Sequence, residues 1–418
     1  MKDSGIDWIG KIPDEWEINK IDSLYTLRNT KVSDKNYPPL SVTMKGIVPQ
    51  LATAAKSDDG DNRKLVKKGD FVINSRSDRR GSSGISNYEG SVSLINTILT
   101  PRGRMNPDYY NWLFHTVQFE DEFYKWGHGI VDDLWTTRWQ DMKNISVLVP
   151  PEEAQEKIAN FLDKKCAQID SIIEESKKSI EEYKSWKQSV IFEAVTGKNL
   201  SCKKKDSGIE WLGEIPEEWE VQRFKSIIDS FEKGNGITKE EVFSDGDTFC
   251  VRYGEIYSKY DNSFENCFSK TFKDKIPVKK YFSNGGLLFV GTGELVEEIG
   301  KCVTYLGNEQ CLAGGDIIIA KHKQNAKFLS YAMNSHYVQA QKSCNKAKLK
   351  VVHISATEIG NVLLALPPIS EQKSIAKFLD AKCAQIDSLI SEKQSLIKDL
   401  AEYKKSLIFE AVTGKRRV

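Results

Sequence analysis

This 418-residue sequence predicts an α+β protein: two globular α/β modules joined by two long antiparallel helices in a pseudo-twofold internal repeat. Three observations predict it. Residues 158–198 (IANFLDKKCAQIDSIIEESKKSIEEYKSWKQSVIFEAVTGK) return at 375–415, an ungapped offset of 217, with CAQIDS and IFEAVTGK identical in both copies. Residues 2–17 (KDSGIDWIGKIPDEWE) return at 205–220 (KDSGIEWLGEIPEEWE), an offset of 203. Between each leading segment and its helical segment lies a β-rich region, and the two such regions share almost no sequence. Repeated ends with divergent middles describe one frame carrying two variable modules. The expected division is 1–150 (first module), 151–199 (first long helix), 200–367 (second module) and 368–418 (second long helix).

The leading segments come first in each half. Trp8, Ile12, Pro13 and Trp16, and their counterparts Trp211, Ile215, Pro216 and Trp219, place apolar groups at matched points of polar stretches. They are expected to pack the leading strand on its module or on a helix end. In the first module, residues 70–74 (DFVIN), 91–99 (SVSLINTIL) and 145–149 (ISVLV) read as strands between Gly/Asn/Ser turns. Residues 107–126 read as an aromatic-faced helix. The second module repeats the scheme, with strands at 287–290 and 316–320 and a helix over 326–342. Both modules end on a proline pair, Pro150-Pro151 and Pro367-Pro368, and proline suits the first turn of a helix.

Each long helix carries a seam at alternating steps of four and three. In the first it comprises Leu162, Cys166, Ile169, Ile173, Ser176, Ile180, Tyr183, Lys187, Val190 and Ala194. In the second it comprises Leu379, Cys383, Ile386, Ile390, Lys393, Ile397, Leu400, Lys404, Leu407 and Ala411. That 3.5-residue period is a coiled-coil seam, with polar interruptions at matching places. From the Leu to the Ala each helix spans roughly 50 Å. Gly197 and Gly414 stand where a left-handed C-cap needs no Cβ. A lone helix would leave its stripe in water, so the two are expected to pack on each other.

Lys plus Arg (60) nearly equals Asp plus Glu (59), so global charge selects no partner. The eight cysteines form no C-x-x-C pair and no zinc-like spacing, which points to a reducing, cytoplasmic setting. With no long apolar run, no membrane association is expected. The five histidines show no metal or nucleophile pattern. Phe289-Val290-Gly291-Thr292-Gly293 is similar to an S-adenosylmethionine glycine loop, but the Asn-Pro-Pro-aromatic segment that would accompany it is missing. A tight turn after a strand explains it. No catalytic residues and no metal site emerge.

Basic clusters are the candidate contacts. Residues 75–84 (SRSDRRGSSG) combine Arg76, Arg79 and Arg80 with Ser82 and Ser83. Arginine forks onto guanine edges or phosphates, and serine donates to either. A solvated loop balanced by Asp78 explains the same letters. In the second module Lys346, Lys348, Lys350 and His353 form a basic run, and Thr292 lies in the glycine loop. Lys270, Lys273, Lys275, Lys279 and Lys280 form another basic run.

The leading DSGIEWLGEIP, the closing L-PP-x-x-EQ-x-x-IA-x-FLD at 366–380 and the terminal IFEAVTGK together resemble the specificity subunits of type I restriction-modification systems. The resemblance covers nearly the whole chain; the first copy departs from it, with PPEEAQEKIANFLD in place of the EQ form. The resemblance implies two target recognition domains, each reading half of a split double-stranded DNA target, and a coiled-coil spacer setting the gap. It implies docking of two methyltransferase subunits and, through them, motor-nuclease subunits. It also implies a subunit without cofactors, with S-adenosylmethionine, ATP and Mg confined to partners. A second class remains open on the residues themselves: a duplicated coiled-coil scaffold holding two protein partners without reading DNA.

Overall fold

The computed structural model describes residues 1–52, 60–103, 105–129, 135–293, 295–344, 346 and 351–418. The chain forms two compact units, Met1–Lys177 with Gln394–Val418, and Lys178–Lys393. The first long helix is Glu152–Thr196 and the second is Ile369–Val412. Each unit therefore holds the beginning of one long helix and the end of the other.

In the first unit a four-stranded antiparallel sheet runs Ser83–Ile85, Phe71–Asn74, Asn96–Pro101, Tyr25–Arg28. Phe71–Asn74 is buried at every residue, as expected of a strand covered on both faces. Asp70, 1% exposed, fixes its start. Its carboxylate accepts from Arg28 Nε (2.7 Å) and Nη2 (3.0 Å), Lys67 N (2.8 Å) and Thr100 Oγ1 (3.0 Å). The apolar run 91–99, expected as one strand, is two. Gly90–Val92 joins a three-stranded sheet with Arg63–Val66 and Lys31–Val32, while Asn96–Pro101 joins the central sheet. The Asn96 amide closes the turn between them by donating to Ser93 O and Oγ, both at 3.1 Å.

The expected helix over 107–126 is also two, Pro107–Phe114 and Val117–Lys125. Thr116 makes the break: its hydroxyl donates to Leu113 O (2.8 Å) and accepts from Phe119 N (3.2 Å), so it ends one helix and caps the next. These helices lay Tyr110, Phe114, Phe119 and Phe123 against Tyr25 and Phe71 in a ring-on-ring core.

The second unit has the same central motif in a larger setting. Its five-stranded sheet runs Ile228–Lys233, Ile317–His322, Leu287–Val290, Cys302–Tyr305, Ser263–Phe264, with only the last pair parallel. A second sheet of four strands holds Ser269–Thr271, Thr248–Val251, Cys311–Ala313 and Tyr281–Phe282. The expected helix over 326–342 again splits, into Ala326–Asn334 and His336–Ser343. Buried Ser335 lies at the break, its hydroxyl donating to Ala332 O at 2.5 Å.

Both units mount their module on the long-helix frame in one way. The first-turn glutamines Gln155 and Gln372 are 3% and 0% exposed. Gln155 Nε2 donates to Pro150 O (2.8 Å), and its Oε1 accepts from Asn106 N (2.9 Å). Gln372 repeats this with Pro367 O (2.8 Å) and Asn325 N (2.9 Å). Asn106 and Asn325 are themselves the N-caps of the module helices. About two turns on, Asp163 accepts from Trp112 Nε1 (2.8 Å), and Asp380 accepts from Tyr331 OH (3.0 Å) and Lys327 Nζ (2.6 Å).

The seam residues alternate with exposed ones along both helices. In the first unit Leu162, Ile169 and Leu407 are buried, and Ile173, Ile397 and Leu400 are half-buried. In the second, Ile180, Leu379 and Ile386 are buried, and Tyr183, Val190 and Ile390 are half-buried. Two of the three seam lysines take matched partners: Lys404 Nζ meets Asp170 at 2.7 Å, and Lys187 Nζ meets Asp387 at 2.8 Å. Burial pulls the Lys187 ammonium down, but the hydrogen bond to Asp387 and the charges of Asp261 and Asp387 leave it above its ordinary value.

The helix ends are closed by the leading segments. Gly197 and Gly414 are left-handed (φ 70° and 69°). A Cβ on Gly197 would run into Pro216, and one on Gly414 would lie 2.6 Å from Pro13. Trp219 and Trp16 are buried beside them.

Replacing Gln155 or Gln372 by Ala strands a buried N–H and C=O together, at a cost of about 1–3 kcal/mol each. Faster amide exchange at Asn106 in the first variant, and at Asn325 in the second, is the expected signature. Unchanged exchange would show that these glutamines do not hold the module helices.

Candidate DNA interface

In both units the loop after the central strand is held open beside a cleft. In the first unit Arg76 forms a backbone bridge with Thr136. Arg76 Nε pairs with Asp78 at 3.0 Å, and Arg79 Nε lies 3.8 Å from the same carboxylate. The Arg80 guanidinium pairs with Asp121, lies 3.7 Å from Glu120 and stacks over Tyr124 at 5.5 Å. Burial pushes the Glu120 carboxyl up, against the opposing pull of Arg80, His115 and Lys405. Gly81 is left-handed (φ 71°), and a Cβ there would strike Glu120 Oε1 at 2.9 Å. The loop is thus pre-shaped by its own ion pairs.

The candidate residues separate by depth. Arg79 is the outermost, with 69% of its side chain exposed. Ser82 and Ser83 are buried, and Ser83 Oγ lies 3.3 Å from His115 Nε2, so these serines support the loop from beneath. The adjoining cleft has a volume of about 790 Å³ and is lined by Arg79, Arg80, Thr43, Met44, Ile95 and Asn96 among others.

In the second unit the glycine loop is not a tight turn. Thr292–Gly293 continues as a short strand, paired antiparallel with Val352–His353. Glycine is needed there because a Cβ on Gly293 would sit 2.8 Å from Tyr257 Oη. Thr292 Oγ1 lies 3.1 Å from His353 Nδ1. Lys346 donates to His353 O (2.7 Å) and pairs with Glu358, leaving 15% of its side chain exposed. It therefore pins the strand that presents His353. Lys348 and Lys350 lie outside the described residues. Thr292 and His353 line a cleft of about 520 Å³ with Asp316, Lys233 and Ser355.

The loop's far end is tied by a buried lysine. Lys342 Nζ, 3% exposed, donates to Gly300 O at 2.7 Å. Burial lowers its pKa to about 8, against a small opposing pull from Cys302.

The two modules thus share a way of presenting a loop and little of its chemistry. The family described as "Type I restriction modification DNA specificity domain" matches residues 13–182 and 216–399. The type I restriction enzyme MjaVIII specificity subunit of Methanocaldococcus jannaschii is 24% identical over 440 residues, covering 98% of this chain and 94% of that one. A chain solved for the structural basis of complex assembly and conformational transition of the type I R-M system shares the fold, with TM-score 0.74 and 14% identity, over 97% of this chain and all of that one. The HsdS subunit from Thermoanaerobacter tengcongensis gives TM-score 0.56 at 15% identity, over 97% of this chain and 98% of that one. The fold and the repeated loop define a two-module recognition protein. The chain belongs to the type I restriction-modification specificity subunits, with one recognition domain in each half.

Sequence reading located the loops but not what holds them. Gln155, Gln372, Asp163 and Asp380 recur at the 217 offset, and that recurrence was the available signal. The sign for Lys342 follows from its lowered pKa. The unfolded lysine, near 10.5, binds its proton more readily than the folded one, so stability rises as pH increases from about 8 to about 10.5. Lys342→Met is expected to flatten that slope in denaturant titrations across the window; an unchanged slope would contradict it.

Proposed function

We propose that each recognition domain reads one half of a split DNA target through the loop after its central strand. The carrying observation is that the two loops leave equivalent strands and bridge back to the chain in the same way, Arg76 to Thr136 and Thr292 to His353, with unlike side chains. A shared scaffold with different exposed groups is what two different half-sites require. Arg79, Arg76 and Arg80 offer guanidinium forks for guanine edges or phosphates in the first domain. Thr292 and His353 offer a hydroxyl and an imidazole in the second.

The long helices are proposed to dock two methyltransferase subunits, and through them motor-nuclease subunits. Large apolar side chains stand exposed one residue before seam positions: Ile172 (44%) and Tyr403 (48%) in the first unit, Leu389 (37%) and Trp186 (46%) in the second. Each unit thus offers one aliphatic and one aromatic group from the same helix positions, which suits two copies of one partner. Chemistry belongs to those partners, with S-adenosylmethionine, ATP and Mg bound there. The protein acts in the cytoplasm, where chromosomal DNA is reached.

The test is adenine methylation across the genome of cells carrying the complete system with Arg79→Glu. The first half-site is expected to relax or disappear, with cognate affinity reduced about 10- to 100-fold, while the second half-site keeps its sequence. A motif unchanged in both halves by this variant and by Thr292→Ala would show that the half-sites are not read through these loops.

A further inference from the structure

The two clefts share one further point that linear comparison of the repeats conceals. Ser75 and Gly291 are the first residues after the central strands. Ser75 donates to Ile95 O from N (3.3 Å) and from Oγ (2.6 Å). Gly291 N donates to Asp316 O at 2.7 Å. Ile95 and Asp316 each directly precede the strand that pairs with the central one, Asn96–Pro101 and Ile317–His322. They therefore hold the same topological position, each pinned by its carbonyl at the mouth of its cleft.

Their side chains do nothing evident for the fold. Ile95 is 43% exposed and lines the first cleft. The Asp316 side chain is 46% exposed, and its nearest charged partner, Lys233 Nζ, is 3.8 Å away. Asp316 is also the only described non-glycine residue with positive φ, at 60°. That left-handed backbone is uncommon outside glycine, although aspartate and asparagine adopt it more readily than most residues, and such positions collect at functional sites. Gly314 and Gly315 stand just before it, yet the left-handed position carries an aspartate, and that residue lines the cleft.

We propose that residues 95 and 316 are matched specificity determinants, one for each half-site. Ile95 packs on a thymine C5-methyl, and Asp316 accepts from the exocyclic amino group of cytosine, the major-groove features that an apolar group and a carboxylate respectively distinguish. The inference rests on the DNA-reading function and adds the bases to it.

The test pairs Asp316→Asn with Ile95→Asp, each in the complete system. Asparagine accepts the left-handed backbone and exchanges a carboxylate for an amide suited to adenine. Asp316→Asn is expected to shift base preference by about tenfold at one position of the second half-site, from cytosine toward adenine, with the first half unchanged. Ile95→Asp is expected to replace thymine by cytosine at one position of the first half-site alone. Methylation motifs supply the first readout. Binding of the purified complex to duplexes carrying each base at each position supplies the second. Wild-type base preference in both variants overturns the proposal, as does equal weakening on every duplex, which marks a merely structural position. A wild-type complex that shows no split motif removes the DNA-reading function and this inference together.

Discussion

A lysine in a helix seam is stabilised where a carboxylate meets it, and this protein uses that pairing at two of its three seam lysines. Lys404 finds Asp170 and Lys187 finds Asp387, each lysine one seam position and each aspartate the final acidic residue of CAQIDS. A seam of Leu and Ile with 3.5-residue period would pack nearly as well after sliding by one heptad. Sliding would leave the lysine in the seam without its aspartate, an uncompensated charge in a partly dry site, and that cost selects one register. The rest of each unit depends on that choice. Its module stands on the first turns of one long helix through the glutamine and aspartate mounts. Its leading segment closes around the last turn of the other, where the glycine cap leaves room for a proline ring.

Because the mounts are made by the frame, the modules are free to diverge above them. The aspartate of FLD accepts from a tryptophan in one unit and from a tyrosine and a lysine in the other. The central strands keep burial on both faces with unlike residues, FVIN and LLFV. What is held constant is backbone: the central strand, the loop leaving it and the bridge by which that loop returns. A recognition surface can then change by substitution at a few exposed positions without disturbing the helix pair.

Much of this was legible because helices and caps are local. The 3.5-residue period, the proline pairs before the helices and the glycines after them each follow from short-range geometry, and the structure has helices and left-handed glycines there. What was not legible depends on distant partners. SVSLINTIL has the composition of one strand and is divided between two sheets by an asparagine turn. The two module helices read as continuous because Thr116 and Ser335 are ordinary letters until their hydroxyls meet a helix end. Lys346 looks like a free cation in the sequence and is spent on Glu358 and a carbonyl. The match of Ile95 to Asp316 falls at an offset of 221, against 216 for Ser75 and Gly291 and 217 for the frame. Only the hydrogen bonds reveal it.

The charge arrangement bears on how such a protein discriminates. With 60 basic and 59 acidic residues in the chain, and with the arginines of its first loop paired to Asp78, Glu120 and Asp121, the positive charge of that loop is offset locally. Non-specific attachment to duplex DNA scales with the phosphates a cationic surface neutralises, so this chain has a weak claim on arbitrary sequence. The same ion pairs hold the guanidiniums in place, which limits the side-chain ordering that the proposed contact with DNA would require. A loop of this kind gains little from any phosphate and much from a base edge that fits, so discrimination is favoured over grip. On the docking proposed above, grip would come from the partner subunits, and the exposed apolar groups flanking both seams are the surface the chain has for them.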